Sequence, residues 1–232
     1  MSLLKIQQSE ATMKKYLSVL RACPLFYDIE DENLIPMLSC FGAAVKSYRK
    51  HETVFAEGDA VKSIGIVLSG EVQLERVDYD GNRSIVTTVD ETHIFGESFA
   101  CVGVDAIPVN IVATEQSEIM LVDVRKITTP CCNACSFHSK IIYNLLKITA
   151  AKNLVYHQKL EITSMRSTRE KLMTYLRLEA KKNHSNSFRI PYDRQELADY
   201  LEVDRSGLSA EIGKLRREGV LRSEKNRFTL FV

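Results

Sequence analysis

The sequence predicts an α+β chain in three parts: a β-rich N-terminal block, one long helix, and a small helical domain that ends in a hairpin. Three observations carry this expectation. From Ala43 to Val124, apolar residues alternate or form short runs rich in Val, Ile and Thr, punctuated by turn residues. From Ser136 to Thr163 there is neither Gly nor Pro, and the apolar period becomes helical. After Ser167, two short helical patterns joined by Glu202-Val203-Asp204 precede two β-prone runs.

Composition sets the outer bounds. The chain has 232 residues, 45% hydrophobic and 26% charged, which are ordinary values for a globular protein of one or two domains. No stretch approaches the roughly 18–20 apolar residues of a membrane span. Lys5, Glu10, Lys14, Lys15 and Arg21 interrupt the apolar residues at the N-terminus, so no signal-peptide core is expected. Six Cys are too sparse for a disulfide scaffold. The expectation is a soluble, cytoplasmic protein with reduced thiols and no membrane partner. The net charge of +1 is unevenly spread. Residues 1–160 hold 16 Lys/Arg against 19 Asp/Glu, and residues 161–232 hold 15 against 11. A basic tail on a mildly acidic body points to an anionic partner for the tail.

The N-terminal segment opens with a helix over Glu10–Leu20, marked by Met13, Leu17 and Leu20. A second helix begins in the acidic run Asp28–Glu32 and passes through Leu34 and Leu38 towards Gly42. Expected strands are Thr53–Phe55, Ser63–Leu68, Glu71–Val77, Ser84–Val89, Ile107–Ala113 and Glu118–Val124, with Asp80-Gly81 as a hairpin signal. Many short strands at this spacing predict an antiparallel jelly roll, a double-stranded β-helix. Ile64, Ile66, Leu68, Val86 and Ile94 are the candidates to pack its interior.

In the long helix, Ile141, Leu145, Ile148 and Val155 recur at helical steps, with Lys152 interrupting and Leu146, Ala150 and Leu154 widening the stripe. About 27 residues make a helix roughly 40 Å long. Its surplus apolar face calls for a second copy of the chain, unless the helix only packs on its own barrel. Downstream, Ser167–Ala180 is helical through Leu172, Tyr175 and Leu176, and Phe188–Pro191 is extended. Asp193 caps a helix over Arg194–Leu201, with Glu196 placed for a capping box. A further helix runs over Arg205–Glu218 to Gly219, and Val220–Arg222 and Arg227–Phe231 form a hairpin. Leu197, Ala198, Leu201, Val203, Leu208, Ile212 and Leu215 have the spacing that locks the two helices together. This is the outline of a winged helix-turn-helix. Arg205, Ser206 and Ser209 stand where donors reach base edges, and Lys214, Arg216 and Arg217 follow where cations meet phosphates.

In that order of parts the chain resembles the Crp/Fnr family of bacterial transcription regulators. The resemblance covers nearly the whole sequence. It is carried by Glu57-Gly58-Asp59, Leu68-Ser69-Gly70-Glu71-Val72, Phe95-Gly96-Glu97, Asp193–Leu201 and Asp204–Ser209. It implies an effector domain over 1–130, a dimerisation helix over 131–163 and a DNA-binding domain over 164–232. It implies a homodimer on a palindromic double-stranded operator, half-sites about 34 Å apart, with RNA polymerase as a further partner. The DNA-contacting positions carried over are Arg194, Gln195, Arg205, Ser206, Gly207, Ser209 and Lys214, while Ala210 stands where many relatives carry Arg. The implied effector pocket involves Phe95, Gly96, Glu97, Ser98, Pro108 and Val109, with an unknown small molecule as ligand. Cyclic-nucleotide binders of the family follow Gly-Glu, about ten residues on, with Arg and Ser or Thr. Here Ile107-Pro108-Val109 provide no cation for a buried phosphate, so cyclic AMP is not the expected effector. Glu97 is left as a ligand contact or the cap of a local turn.

A second candidate sensor is Cys131, Cys132, Cys135 and His138 at the start of the long helix. The C-x2-C-x2-H spacing suits a soft metal or part of an iron–sulfur cluster, and thiols at a helix N-terminus oxidise readily. The alternative is that Cys132 and Cys135 are small buried hydrophobes and His138 a surface or capping residue. A haem would need a ligand such as His93, near the expected pocket mouth. A constitutive DNA binder with an empty or filled barrel is a further alternative. Catalysis is not expected. His51, His93, His138, His157 and His184 are scattered, and no nucleophile elbow, P-loop or dinucleotide fingerprint is present.

Overall fold

Short alternating runs turn into paired strands because each can bury one face only against another sheet or a helix. In the computed structural model, which describes residues 15–129 and 136–231, the β-rich block forms two four-stranded antiparallel sheets. One has the order β1 (Ala44–Tyr48), β8 (Ser117–Asp123), β3 (Ser63–Ser69) and β6 (Ile94–Phe95). The other has β2 (Thr53–Phe55), β7 (Asn110–Ala113), β4 (Glu71–Val77) and β5 (Arg83–Asp90). This is the expected jelly roll.

The chain separates into two units. The first runs to Val77 and resumes over Val86–Lys152; the second comprises Asp78–Ile85 and Asn153–Val232. The first unit has two cores. Val67, Val72, Leu74, Phe95, Ile111, Ala113 and Ile119 fill the space between the sheets. Ile64, Ile66, Leu68, Ile94, Met120 and Val122 face the other way, under helices α1 (Leu17–Ala22) and α2 (Asp31–Cys40) and the 3₁₀ turn Pro24–Phe26. Of the residues expected inside the barrel, Ile64, Ile66, Leu68 and Ile94 therefore pack beneath helices, and Val86 borders the inter-sheet core. β3 is buried on both faces, and periodicity cannot say which side of such a strand is interior.

Several elements differ from the sequence expectation. β1 is an exposed edge strand without apolar alternation, and β6 has only two residues; neither carries a readable pattern. Gly96, at φ +75°, turns the chain into a short helix, α3 (Glu97–Val102), and Asp123 caps another, α4 (Val124–Thr128). β7 begins at Asn110 rather than Ile107, since Pro108 has no amide for the ladder and Ile107 pairs instead with Gly58 and Asp59. Of the Glu10–Leu20 helix, residues 10–14 lie outside the described residues.

The long helix α5 spans Ser136–Thr163, about 42 Å at 1.5 Å per residue. Its stripe divides. Ile141, Leu145 and Ile148 pack into the helix-covered core of the first unit, and Ile162 into the core of the second. Ile142, Tyr143, Leu146, Leu154 and Leu160 remain exposed and fall within an arc of about 120°. Among the described residues no helix is long and apolar enough to cross a membrane.

The second unit contains α6 (Thr168–Lys182), β9 (Ser187–Arg189), α7 (Arg194–Leu201), α8 (Arg205–Arg217), β10 (Leu221–Glu224) and β11 (Arg227–Leu230), with the sheet ordered β10-β11-β9. Its core gathers Leu172, Tyr175, Leu176, Leu197, Leu201, Leu208, Ile212, Leu215 and Phe228, together with Ile85.

Gly65 is required by a close approach rather than by a turn: a Cβ there would collide with the ring of Phe95, itself fully buried. Gly65→Ala is expected to destabilise the protein by about 1–3 kcal/mol, through displacement of that ring. Urea unfolding of the variant against wild type checks this.

Candidate nucleic-acid interface and effector site

Two capped helices and a tight turn make the C-terminal surface. The Asp193 carboxylate accepts from the Glu196 amide at 2.8 Å, and Glu196 accepts from the Asp193 amide at 2.8 Å, closing the expected capping box of α7. Glu202, at φ +53°, ends α7 in a left-handed conformation, and the Val203 amide returns to the Ala198 carbonyl. Asp204 then caps α8 through the Gly207 amide at 2.7 Å and accepts from the Ser206 hydroxyl. Those two donors, the hydroxyl first, hold the Asp204 carboxyl below its ordinary range. Arg169 of α6 reaches Glu211 and Glu218, fastening α8 to the body of the unit.

With Leu208, Ile212 and Leu215 turned inward, Arg205, Ser206, Gly207 and Ser209 are exposed along the first two turns of α8. Lys214 and Arg216 are both exposed further along. At 100° per residue, Arg216 lies about 20° from Arg205 around the axis, and Lys214 about 180°. Arg216, rather than Lys214, therefore continues the face that Arg205 and Ser209 begin. The signal was present in the helical period.

Arg194, at the start of α7, is half-buried, with its guanidinium 5.8 Å from the centre of the Phe228 ring. Burial, and then the nearby Arg205 charge, lower its pKa. Its Nη1 is buried without a hydrogen-bond partner. Gln195 is exposed but donates to Asp199 at 2.7 Å. Asp199 also takes Arg83 through Nε at 2.9 Å and Nη2 at 2.8 Å. The Gly81–Ser84 tip thus lines one open hollow with Gln195, Asp199 and Arg205. At the wing, Lys225 turns at φ +51°, Asn226 bonds the Ile190 carbonyl and the Arg189 guanidinium, and Arg222 and Arg227 are exposed.

In the first unit, the residues expected to make an effector pocket differ in burial. Phe95 and Val109 are inter-sheet core, Ser98 and Pro108 are exposed, and Gly96 precedes α3. Glu97, the first residue of α3, is 3% exposed. Its carboxylate meets Lys152 Nζ, 3.0 Å from each oxygen, and that ammonium also donates to the Ile94 carbonyl at 2.6 Å. The lysine that interrupts the helix stripe in the sequence is the residue that reaches Glu97.

His93 is exposed, with Nδ1 2.8 Å from Asp90. Cys131, Cys132 and Cys135 lie outside the described residues. His138, a candidate metal ligand or else a surface or capping residue in the sequence reading, is buried against the rings of Phe41 and Phe137. Burial pushes the Cys23 thiol up to about 11, the opposite of what a reactive thiolate needs. Among the described residues no group of three or more His, Cys, Asp or Glu is placed to hold a metal ion.

Comparison with known proteins agrees with this layout. The profile of the cyclic nucleotide-binding domain matches residues 45–129, and that of the Crp-like helix-turn-helix domain matches residues 170–231. The transcriptional activator protein FnrL of Cereibacter sphaeroides is 22% identical over 194 residues, covering 80% of this chain and 75% of that protein. The transcriptional activator protein FnrA of Stutzerimonas stutzeri is 23% identical over 208 residues, covering 87% and 81%. The c-di-GMP-responsive regulator CLP of Xanthomonas campestris shares the fold, with a TM-score of 0.69 at 17% identity over 85% of this chain and 99% of that one.

The Asp204 cap has a definite pH window. Its folded pKa is depressed, so its contribution is complete above the unfolded value of about 3.9 and is lost as pH falls through the folded value. Asp204→Asn caps without ionising. The melting-temperature difference between wild type and this variant should be constant from pH 7 to about 5 and change only below about 4. Thermal unfolding followed by circular dichroism across that range checks it.

Proposed function

We propose, on the premise that the chain belongs to the Crp/Fnr family of transcription regulators, that it works in the cytoplasm as a homodimer on a palindromic operator. It is a DNA-binding transcription regulator with an effector-type barrel, not an enzyme. In this reading residues 1–130 are the effector domain, 131–163 the dimerisation helix and 164–232 the DNA-binding domain, and RNA polymerase is the partner on DNA.

The observation that carries the DNA reading is the half-buried Arg194, whose Nη1 is buried without an acceptor at the start of the helix-turn-helix. Burial, and then the nearby Arg205 charge, disfavour the charge of Arg194, which also keeps a buried N–H without an acceptor. A DNA phosphate relieves both costs at once, since an anion neutralises the pair and accepts the spare hydrogen bond. With Arg194 on the backbone, the exposed start of α8 enters the major groove and Arg205, Ser206 and Ser209 address base edges. Gln195 joins them once it leaves Asp199, and Gly207 lets the backbone approach closely. Arg216 and the wing residues Arg222, Lys225 and Arg227 supply phosphate contacts, with Lys214 at the margin.

Dimerisation is supported by the uncovered face of α5, where Leu146 and Leu160 are each 64% exposed. A run of such side chains is stabilised when a second helix covers it. The effector is other than cyclic AMP, because the Ile107–Val109 segment offers a phosphate no cation.

Two outcomes are expected. Arg205→Ala should weaken binding to a selected operator by about 1–3 kcal/mol, and binding to random DNA by much less. Fluorescence anisotropy on both DNAs separates base from phosphate contact. Leu146→Glu should convert a dimer of 26.3 kDa chains into monomers in size-exclusion chromatography with light scattering, and reduce operator affinity with it.

A further inference from the structure

Glu97 is a carboxylate buried at the start of α3, and such a group needs a partner that balances its charge. The chain itself provides one. Lys152 comes from the long helix, places its ammonium 3.0 Å from both carboxylate oxygens, and gives a further hydrogen bond to the Ile94 carbonyl. An ammonium has three donors: one hydrogen bond goes to a Glu97 oxygen and one to the Ile94 carbonyl, while the second carboxylate oxygen stands at ion-pair distance. The Lys152 side chain is itself 23% exposed, so the pair is mostly shielded from water. The buried charge is balanced from within the chain.

We propose that Lys152 is the specificity-determining residue of the effector domain: it occupies Glu97 as an internal ligand and excludes effectors that bind by donating hydroxyls to that carboxylate. This rests on the family reading of Glu97 as an effector-site position. A diol arriving at Glu97 replaces a charge-assisted contact with neutral hydroxyl donors and leaves the ammonium in a shielded site without its counter-charge. That exchange is unfavourable for sugar-bearing ligands. The same ammonium fastens the barrel to the helix between effector and DNA-binding parts, so Lys152 also positions α5. It lies on the inner face with Ile141, Leu145 and Ile148, away from the stripe assigned to the partner copy.

The test is chemical rescue in the full-length protein. Lys152→Ala removes three methylenes and the ammonium, a gap matched by n-propylammonium. The variant should melt about 5–10 °C below wild type. Millimolar n-propylammonium chloride should restore much of that loss with saturation, whereas 1-propanol and sodium chloride should not. The amine should have no such effect on wild type or on Lys152→Ala/Glu97→Gln. Cyclic AMP and cyclic GMP should leave the wild-type melting temperature unchanged. Should Lys152→Ala fail to fold, Lys152→Met/Glu97→Gln replaces it, and is expected to melt well above Lys152→Met alone. Rescue that persists without Glu97, no rescue at all in a folded variant, or saturable binding of a cyclic nucleotide by wild type would overturn the proposal. So would a double variant no more stable than Lys152→Met. Absence of operator binding by wild type would instead overturn the DNA reading and leave the rescue result standing.

Discussion

A helix of 28 residues cannot bury its whole circumference against one small barrel, and much of this protein follows from how α5 divides its faces. One face enters the first unit through Ile141, Leu145 and Ile148, and carries a charged residue, Lys152, that Glu97 of the barrel neutralises. A neighbouring face keeps Ile142, Leu146 and Leu160 in solvent. An apolar face left by this division favours association, and a charge on the inner face is tolerable only with a counter-ion. Both facts arise from burial, and both fall on the one helix that runs from the first unit into the second.

The helix-turn-helix follows a related logic with polar groups. Asp193, Glu196 and Asp204 satisfy amides at two helix starts, so the turn between α7 and α8 is rigid before any DNA arrives. Arg169 holds α8 from behind. What is left unsatisfied is cationic: a buried Arg194 N–H beside a second arginine. Rigid positioning with an unmet demand for an anion is the arrangement expected of a phosphate-reading surface. Gln195 is the exception, since Asp199 and Arg83 engage it through a shared carboxylate.

Much of this was legible in the chain. The capping box at Asp193, the turn at Glu202–Asp204, the inward spacing of Leu208, Ile212 and Leu215 and the extent of α5 all emerge from local rules: period, propensity and caps act within a few residues. Less legible were β1, with no apolar alternation, β6, too short to show any, and α3, whose start depends on Gly96 at positive φ. The inward face of β3 was also hidden, because both its faces are apolar and buried.

The sequence by itself determined the order of parts, the helix-turn-helix and its exposed donors, and the absence of a cation at Ile107–Val109. These depend on neighbours in the chain. Tertiary structure alone decided that Lys152, 55 residues from Glu97, is its counter-ion. It also decided that His138 is enclosed by Phe41 and Phe137, and that the helix stripe is split between barrel and solvent. A pattern of residues shows that a lysine interrupts an apolar face. Only the fold brings a buried carboxylate to it, because the free energy of pairing two charges depends on the distance and the burial they share.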